Sequence, residues 1–131
     1  MTTREFIQKI DNGEAKVLTL EAAKKLKGKT IYWTYFCYEG NEMSVGELTV
    51  GDIVSEWEYE SHQPMKGFSS RAAYWDSYMT NAKKEYFKHN MLLLDDQGKA
   101  PWIYCELIDG LFSVPTFCCS DSDRCVYYIE K

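Results

Sequence analysis

Acidic and histidine side chains alternate along one stretch near the middle of the chain: Glu56, Glu58, Glu60 and His62. In a regular strand these side chains share one face, with neighbours about 6.7 Å apart. At that spacing Glu58, Glu60 and His62 could hold a divalent cation, or could orient a water molecule for hydrolysis. The competing interpretation is a solvent-facing strand surface, with Trp57 and Tyr59 turned toward the core. The alternation favours this second interpretation, since antiparallel strands commonly have one polar face.

The segment from Thr30 to His62 differs in composition from the rest of the chain, and we call it the acidic segment. It holds seven carboxylates and seven aromatic rings but no lysine or arginine. Residues 1–29 carry seven basic and four acidic side chains, and the formal net charge of the whole chain is -5. A local excess of negative charge can steer a basic partner toward it and reject acidic partners.

Aromatic side chains in and after the acidic segment could form a groove. Rings on one face of the strand beginning at Thr30, together with rings from the following loop and helix, would line it: Tyr32, Phe36, Tyr38, Phe68, Tyr74 and Trp75. An exposed groove of this kind would bind a peptide, a flat ligand or a second copy of the chain. The alternative is a large aromatic core, because rings readily fill sheets.

Other motifs that could bind a metal or carry out a reaction are incomplete. Cys118, Cys119 and Cys125 lie close together but lack the paired spacing of a structural zinc site, so buried free thiols are expected. The Asp121-Ser-Asp-Arg124 stretch lacks the glycine and distal glutamate of a calcium loop, and a polar turn is expected there. We therefore predict no catalytic residue and no cofactor, and the metal-binding trio above remains the weaker alternative.

Composition also indicates where the chain is found in the cell and which partners it does not bind. The five cysteines are an odd number, and the N-terminus has no apolar run typical of an export signal, so a cytoplasmic protein with reduced thiols is predicted. No stretch approaches the ~18 apolar residues of a membrane span. The negative net charge disfavours direct binding to nucleic acid, because phosphates require a concentrated basic face.

Capping residues predict where the helices begin. Thr3 and Thr19 are expected to cap two short helices in the N-terminal segment of residues 1–29. Ser70 is expected to cap a further helix, because rings recur after it at helical spacing, with a weak point at Thr80 where that helix could divide. Residues 61–90 thus read as a loop and a helical insertion between strands.

Alternating and β-branched residues predict the strands, at residues 16–18, 30–38, 43–59, 91–94, 101–108, 112–119 and 124–129. The strand at 30–38 is apolar on both faces and should lie inside the sheet. Side-chain alternation changes phase at Gly51, which predicts a β-bulge or a sharp bend. Residues 95–98 form the turn of the strongest hairpin signal in the chain.

These elements predict one α+β domain over residues 1–131. Its architecture is a bent antiparallel sheet, or a small SH3-like barrel, of five to seven strands with two or three helices. The rhythm of strands after Gly28 resembles the opening of an SH3-like barrel, a fold that serves many functions.

The predicted function is a non-catalytic protein-interaction module. Its acidic, aromatic-rich sheet, with Glu56, Glu58, Glu60, Tyr32, Phe36, Tyr38 and Trp75 as binding residues, would bind a basic protein partner or form a homodimer. The alternative is a small ligand-binding barrel or a metal-dependent enzyme that uses the carboxylates and His62. A cavity of several hundred Å³ containing a carboxylate with a pKa raised by burial would favour this alternative. A third class, an acidic mimic of nucleic acid, would need more than seven carboxylates.

Overall fold

The computed structural model describes residues 1–35, 44–101, 103–106, 110–114 and 125–131. Within those ranges seven strands form an antiparallel sheet in the order β1-β7-β2-β3-β4-β5-β6. The strands are β1 (Lys16–Val17), β2 (Thr30–Tyr35), β3 (Gly46–Ser55), β4 (Asn90–Asp95), β5 (Ile103–Glu106), β6 (Phe112–Ser113) and β7 (Val126–Glu130). The predicted α+β class and bent antiparallel sheet are confirmed. The sheet is not closed, with β1 and β6 at the ends of this order, and the likeness to an SH3-like barrel stays a prediction.

Helices in the described ranges are α1 (Thr3–Asp11), α2 (Leu20–Lys25), α3 (Glu56–Glu60), α4 (Arg71–Tyr78) and α5 (Asn81–His89). Each begins after a hydroxyl side chain that accepts a hydrogen bond from the backbone N–H three positions later: Thr2, Thr19, Ser55, Ser70 and Thr80. The count exceeds the predicted two or three, because Thr80 divides the third predicted helix and because residues 56–60 are helical.

The apolar core lies against α2. Ala23 of α2 and Leu26, which caps its C-terminus, pack with Ile31 on β2, Phe112 on β6 and Val126 on β7, all nearly inaccessible to solvent. Strand β2 lies inside the sheet between β7 and β3, as its two apolar faces predict. We call Ala23, Leu26, Ile31, Phe112 and Val126 the core cluster.

Strand β3 bends the sheet at Gly51. Its first residues pair with β2, and its last residues pair with β4 after a register shift between Val50 and Ile53. A side chain at Gly51 would overlap the backbone carbonyl of Asp95 on β4, so only glycine allows this close approach. The predicted bulge at the phase change is therefore confirmed.

Helix α3 replaces the predicted end of the 43–59 strand. Ser55 ends β3 and caps the helix, since its hydroxyl accepts a hydrogen bond from the backbone N–H of Glu58 at 3.0 Å. Carboxylates in the first turn favour the helix further, because they face the positive end of its dipole. The prediction that Glu56, Glu58 and Glu60 share a strand face is wrong. In the helix Glu56 and Glu60, four residues apart, share one face, while Glu58 is exposed.

Candidate functional site

A cleft of about 290 Å³ opens among α3, α4, α5 and the loop after α3, a region we call the helical layer. Acidic, basic, aromatic and thioether side chains line it: Glu56, Glu60, Met65, Arg71, Tyr74, Trp75 and Phe87. Helix α3 reaches this position because it follows β3 directly, and α5 does so because it runs directly into β4. The strands thus fix both ends of the layer.

Glu56 is the buried carboxylate of this cleft. The residue is only 9% exposed, and its Oε2 accepts a hydrogen bond of 2.7 Å from Nδ2 of Asn90, itself 5% exposed. Burial raises the pKa of Glu56 because the charged form loses water. The Asn90 hydrogen bond lowers that pKa in part, and the nearby charge of Glu60 raises it again. The protonated form of Glu56 is therefore unusually favoured.

Glu60, one turn later, is already paired within the cleft. Its Oε2 accepts a hydrogen bond of 2.7 Å from a guanidinium nitrogen of Arg71 at the start of α4. The Glu60 side chain is 12% exposed and that of Arg71 is 34% exposed, so the pair is partly shielded from solvent. The two charges cancel, which leaves Glu56 as the carboxylate of the lining without a cation.

Tyr104 on β5 is a further polar group near the two glutamates. Burial raises the pKa of its phenol, and the charges of Glu56 and Glu60 raise it further. The phenol therefore keeps its proton at neutral pH and can act only as a neutral hydrogen-bonding group there.

Aromatic rings form a connected layer around the cleft. Trp75 stacks on Phe87, with ring centroids 5.2 Å apart and planes 13° from parallel, and it also contacts Trp57 at 5.1 Å. On the other side, Tyr74 contacts Phe68 at 5.3 Å. Such pairs stabilise by about 0.5–1.5 kcal/mol each beyond their burial. Ring contacts thus connect the aromatic side chains that line the cleft with their neighbours Trp57 and Phe68.

The structure brings together some of the predicted site residues and separates others. Glu56, Glu60 and Trp75 line the cleft, whereas Glu58 is exposed and lies outside the lining. Tyr32 lies on β2, where the Lys131 ammonium sits 5.8 Å from its ring centroid, and it is not among the lining residues. The two remaining predicted residues, Phe36 and Tyr38, lie outside the described residues.

The metal alternative finds no support in the part of the chain that the structure describes. No group of three or more His, Cys, Asp or Glu side chains there is placed to hold a metal ion. Glu58, Glu60 and His62 are thus not assembled as ligands: Glu60 pairs with Arg71, and His62 is exposed. The reason is the helix, which breaks the alternation on which that hypothesis depends.

Three of the seven carboxylates of the acidic segment have cations beside them, while Glu58 is exposed and Glu39 and Glu42 lie outside the described residues. Glu47 pairs with Lys131, Asp52 with Lys27 and Glu60 with Arg71, while Glu56 is buried. The basic partners come from the two ends of the chain and from α4, so a segment that is acidic in sequence has cations beside it in space.

Asn90, Arg71 and Phe87 are site residues that the sequence did not single out. Asn90 is 34 positions from Glu56, and no local pattern links them. A signal for the helix was present, because Ser55 followed by Glu58 three positions later is the pattern of a helix N-terminus. That pattern would have placed Glu56 and Glu60 on one face.

Comparisons of the chain with protein-family models, with curated proteins and with solved structures found no match. Among the described helices, none combines the length and the apolar character needed to cross a membrane. The function must therefore be argued from the chemistry of the cleft.

Proposed function

We propose that this protein binds a small ligand in the cleft of the helical layer, with Glu56 as the principal polar contact. One observation carries the proposal: a carboxylate that is 9% exposed borders an open cleft and has no basic side chain paired with it among the described residues. Burying an ionisable group is costly unless a partner compensates it. A ligand that reaches Glu56 would supply this compensation.

The size and lining of the cleft suit a small ligand. About 290 Å³ is just below the roughly 300–1,000 Å³ of small-molecule pockets, so the ligand must be small. Such pockets are mostly apolar with a few polar groups that orient the ligand. Here Met65, Tyr74, Trp75 and Phe87 provide the apolar part and Glu56 the orienting group. A ligand with one ring or one short chain would fit.

A carboxyl with a raised pKa can also act as a general acid. Binding is the simpler proposal, because Glu60, the second carboxylate of the lining, is held by Arg71. From the sequence, a cavity that contains a carboxylate with a pKa raised by burial is the feature that would favour a ligand-binding protein. The cleft with Glu56 has this feature.

The test is a fragment screen followed by two-dimensional amide NMR, with a matched pair of variants. Glu56→Gln and Glu58→Gln make the same chemical change two residues apart on α3, one buried and one exposed. Fragments should shift the signals of residues 56–60 and the Trp75 indole, and Glu56→Gln should weaken their binding while Glu58→Gln should not. A screen in which no fragment shifts these signals would contradict the proposal, as would equal effects of the two variants.

A second candidate is the protein-interaction module, and exposed rings on the helical layer favour it. Tyr78 on α4 is 72% exposed and Tyr86 on α5 is 50% exposed. Exposed rings beside a cleft are common in contact surfaces. In this form the partner, a basic segment or a second copy of the chain, would contact α4 and α5 and not an acidic sheet.

Sedimentation of the wild type and of a Tyr78→Ser, Tyr86→Ser double variant tests this second candidate. A dimer that the double variant converts to a monomer would support self-association through the helical layer. Identical sedimentation as a monomer in both would exclude the homodimer.

A further inference from the structure

We infer that the ligand of this cleft presents a cationic hydrogen-bond donor, a protonated amine or a guanidinium, to the Glu56 carboxylate. The inference rests on the proposed function and specifies its chemistry.

Glu56 and its partner Asn90 have an excess of hydrogen-bond acceptors. A glutamate carboxylate has two acceptor oxygens, and the amide of Asn90 donates to one of them, Oε2. The amide's own Oδ1 is buried and accepts no hydrogen bond from the described residues. This buried polar pair therefore offers more acceptors than its donors satisfy, and Glu56 is the member of the pair that lines the cleft. Since unsatisfied buried acceptors cost free energy, a group that brings N–H donors is favoured over one that brings further acceptors.

The net charge of the cleft lining also favours a cationic ligand. With Glu56 ionised, the cleft lining carries two carboxylates and one guanidinium, and Arg71 is committed to Glu60. Two other cations of the layer are paired outside the lining, Lys84 with Asp76 and Lys88 with Glu85, and the exposed Lys66 and Lys83 are not among the lining residues. A ligand cation would complete the balance of the lining, whereas a ligand anion would add to the charge of Glu56.

The aromatic rings of the cleft lining favour a cation as well. Trp75, Phe87 and Tyr74 line the same cleft as Glu56, and rings attract cations through their negative faces. The layer already contains one such contact, since the ammonium of Lys88 lies 5.3 Å from the ring centroid of Trp57. A carboxylate among aromatic rings binds the charged head of an amine and its apolar body together.

Burial raises the pKa of Glu56. A cation beside the carboxylate would favour the charged form and lower that pKa. The other ionisable groups of the lining are Glu60, Arg71 and the phenol of Tyr74, and Glu60 pairs with Arg71. The charge of Glu56 also acts on the phenol of Tyr104.

The experiment compares four probes by NMR titration of the wild-type chain at neutral pH. Benzylamine, benzyl alcohol and benzoate share a ring and differ in charge, and a lysine blocked at both ends presents the same ammonium on a side chain. We expect benzylamine or the blocked lysine to bind at least about tenfold more tightly than benzyl alcohol, since a hydrogen bond to a charged group is stronger than a neutral one. Benzoate should bind most weakly. The Glu56→Gln variant should remove the preference, and Glu58→Gln should retain it.

The outcomes separate this inference from the proposed function. Tight binding of the blocked lysine supports a cation carried by a protein side chain, and tight binding of benzylamine alone supports a free amine. Equal binding of benzylamine and benzyl alcohol at the cleft, or tighter binding of benzoate, overturns the inference but leaves a ligand cleft. If neither these probes nor any library fragment shifts the cleft signals, both are overturned. The comparison among probes uses the wild type and does not depend on the folding of a variant.

Discussion

The core cluster and the helical layer differ in what they bury. The core cluster is apolar, and its composition needs no explanation beyond stability. Of the four buried polar residues among the described ranges, three lie in or beside the helical layer: Glu56, Ser61 and Asn90. A buried glutamate does not improve a core. The contrast shows that the position of a charge, more than the number of charges in a segment, identifies the candidate site.

The sharpest way to test this contrast is to remove one ring from each region. Phe112 is fully buried in the core cluster, and Phe112→Ala should lower the free energy of unfolding by about 3–5 kcal/mol. Phe87 is half-buried, so Phe87→Ala should cost clearly less, yet it should abolish fragment binding at the cleft. Urea unfolding of both variants measures the first effect. Equal losses of stability would contradict the proposed division of the molecule.

The Asn90→Ala variant tests how much the hydrogen bond between Asn90 and Glu56 contributes to stability. Asn90→Ala removes the donor to Glu56 and should lower the free energy of unfolding by about 1–3 kcal/mol. It should also raise the pKa of Glu56 further, because that hydrogen bond favours the charged form. Asn81→Ala, an exposed change at the start of α5, is the matched control and should alter stability little. Similar losses for the two variants would show that the hydrogen bond to Glu56 contributes little.

Breaking an ion pair should lower the free energy of unfolding more in the helical layer than at an exposed site outside it. Arg71→Ala breaks the partly shielded pair with Glu60 and should cost about 1 kcal/mol. Lys27→Ala breaks an exposed pair with Asp52 and should fall within the error of the measurement. The Arg71 cost should persist in 0.5 M salt, since screening acts mainly on exposed charges. A salt-sensitive Arg71 effect would place that pair on the surface.

Several elements follow from local sequence, and their prediction is confirmed. The division at Thr80, the bulge at Gly51 and the hairpin around residues 95–98 each depend on capping, phase or turn residues close together in the chain. The error at Glu56–Glu60 has a physical cause: alternation favours a strand, but the Ser55 cap and the acidic first turn favour a helix. The contacts of Glu56 with Asn90, and of Glu60 with Arg71, depend on how the strands place the helices, which no local pattern contains.

The pH dependence of stability should reveal Glu56, and it is the smallest effect expected. The pKa of Glu56 is raised in the folded state, so the folded chain binds the proton more tightly than the unfolded chain. Its contribution is fully present below the unfolded pKa and is lost as pH rises through the folded pKa. The wild type should therefore be more stable relative to Glu56→Gln at pH 4 than at pH 7, as measured by urea unfolding. An unchanged difference between these pH values would contradict the raised pKa.

The most direct measurement is the titration of the Glu56 side-chain carboxyl by carbon-detected NMR, with and without benzylamine. The account predicts a midpoint above the ordinary value of 4.5 in the free protein, because the carboxyl is buried. Saturating benzylamine should lower the midpoint, because the ammonium favours the charged form. A midpoint at or below 4.5 that benzylamine leaves unchanged would contradict the claim that Glu56 is the buried, ligand-binding carboxylate of this protein.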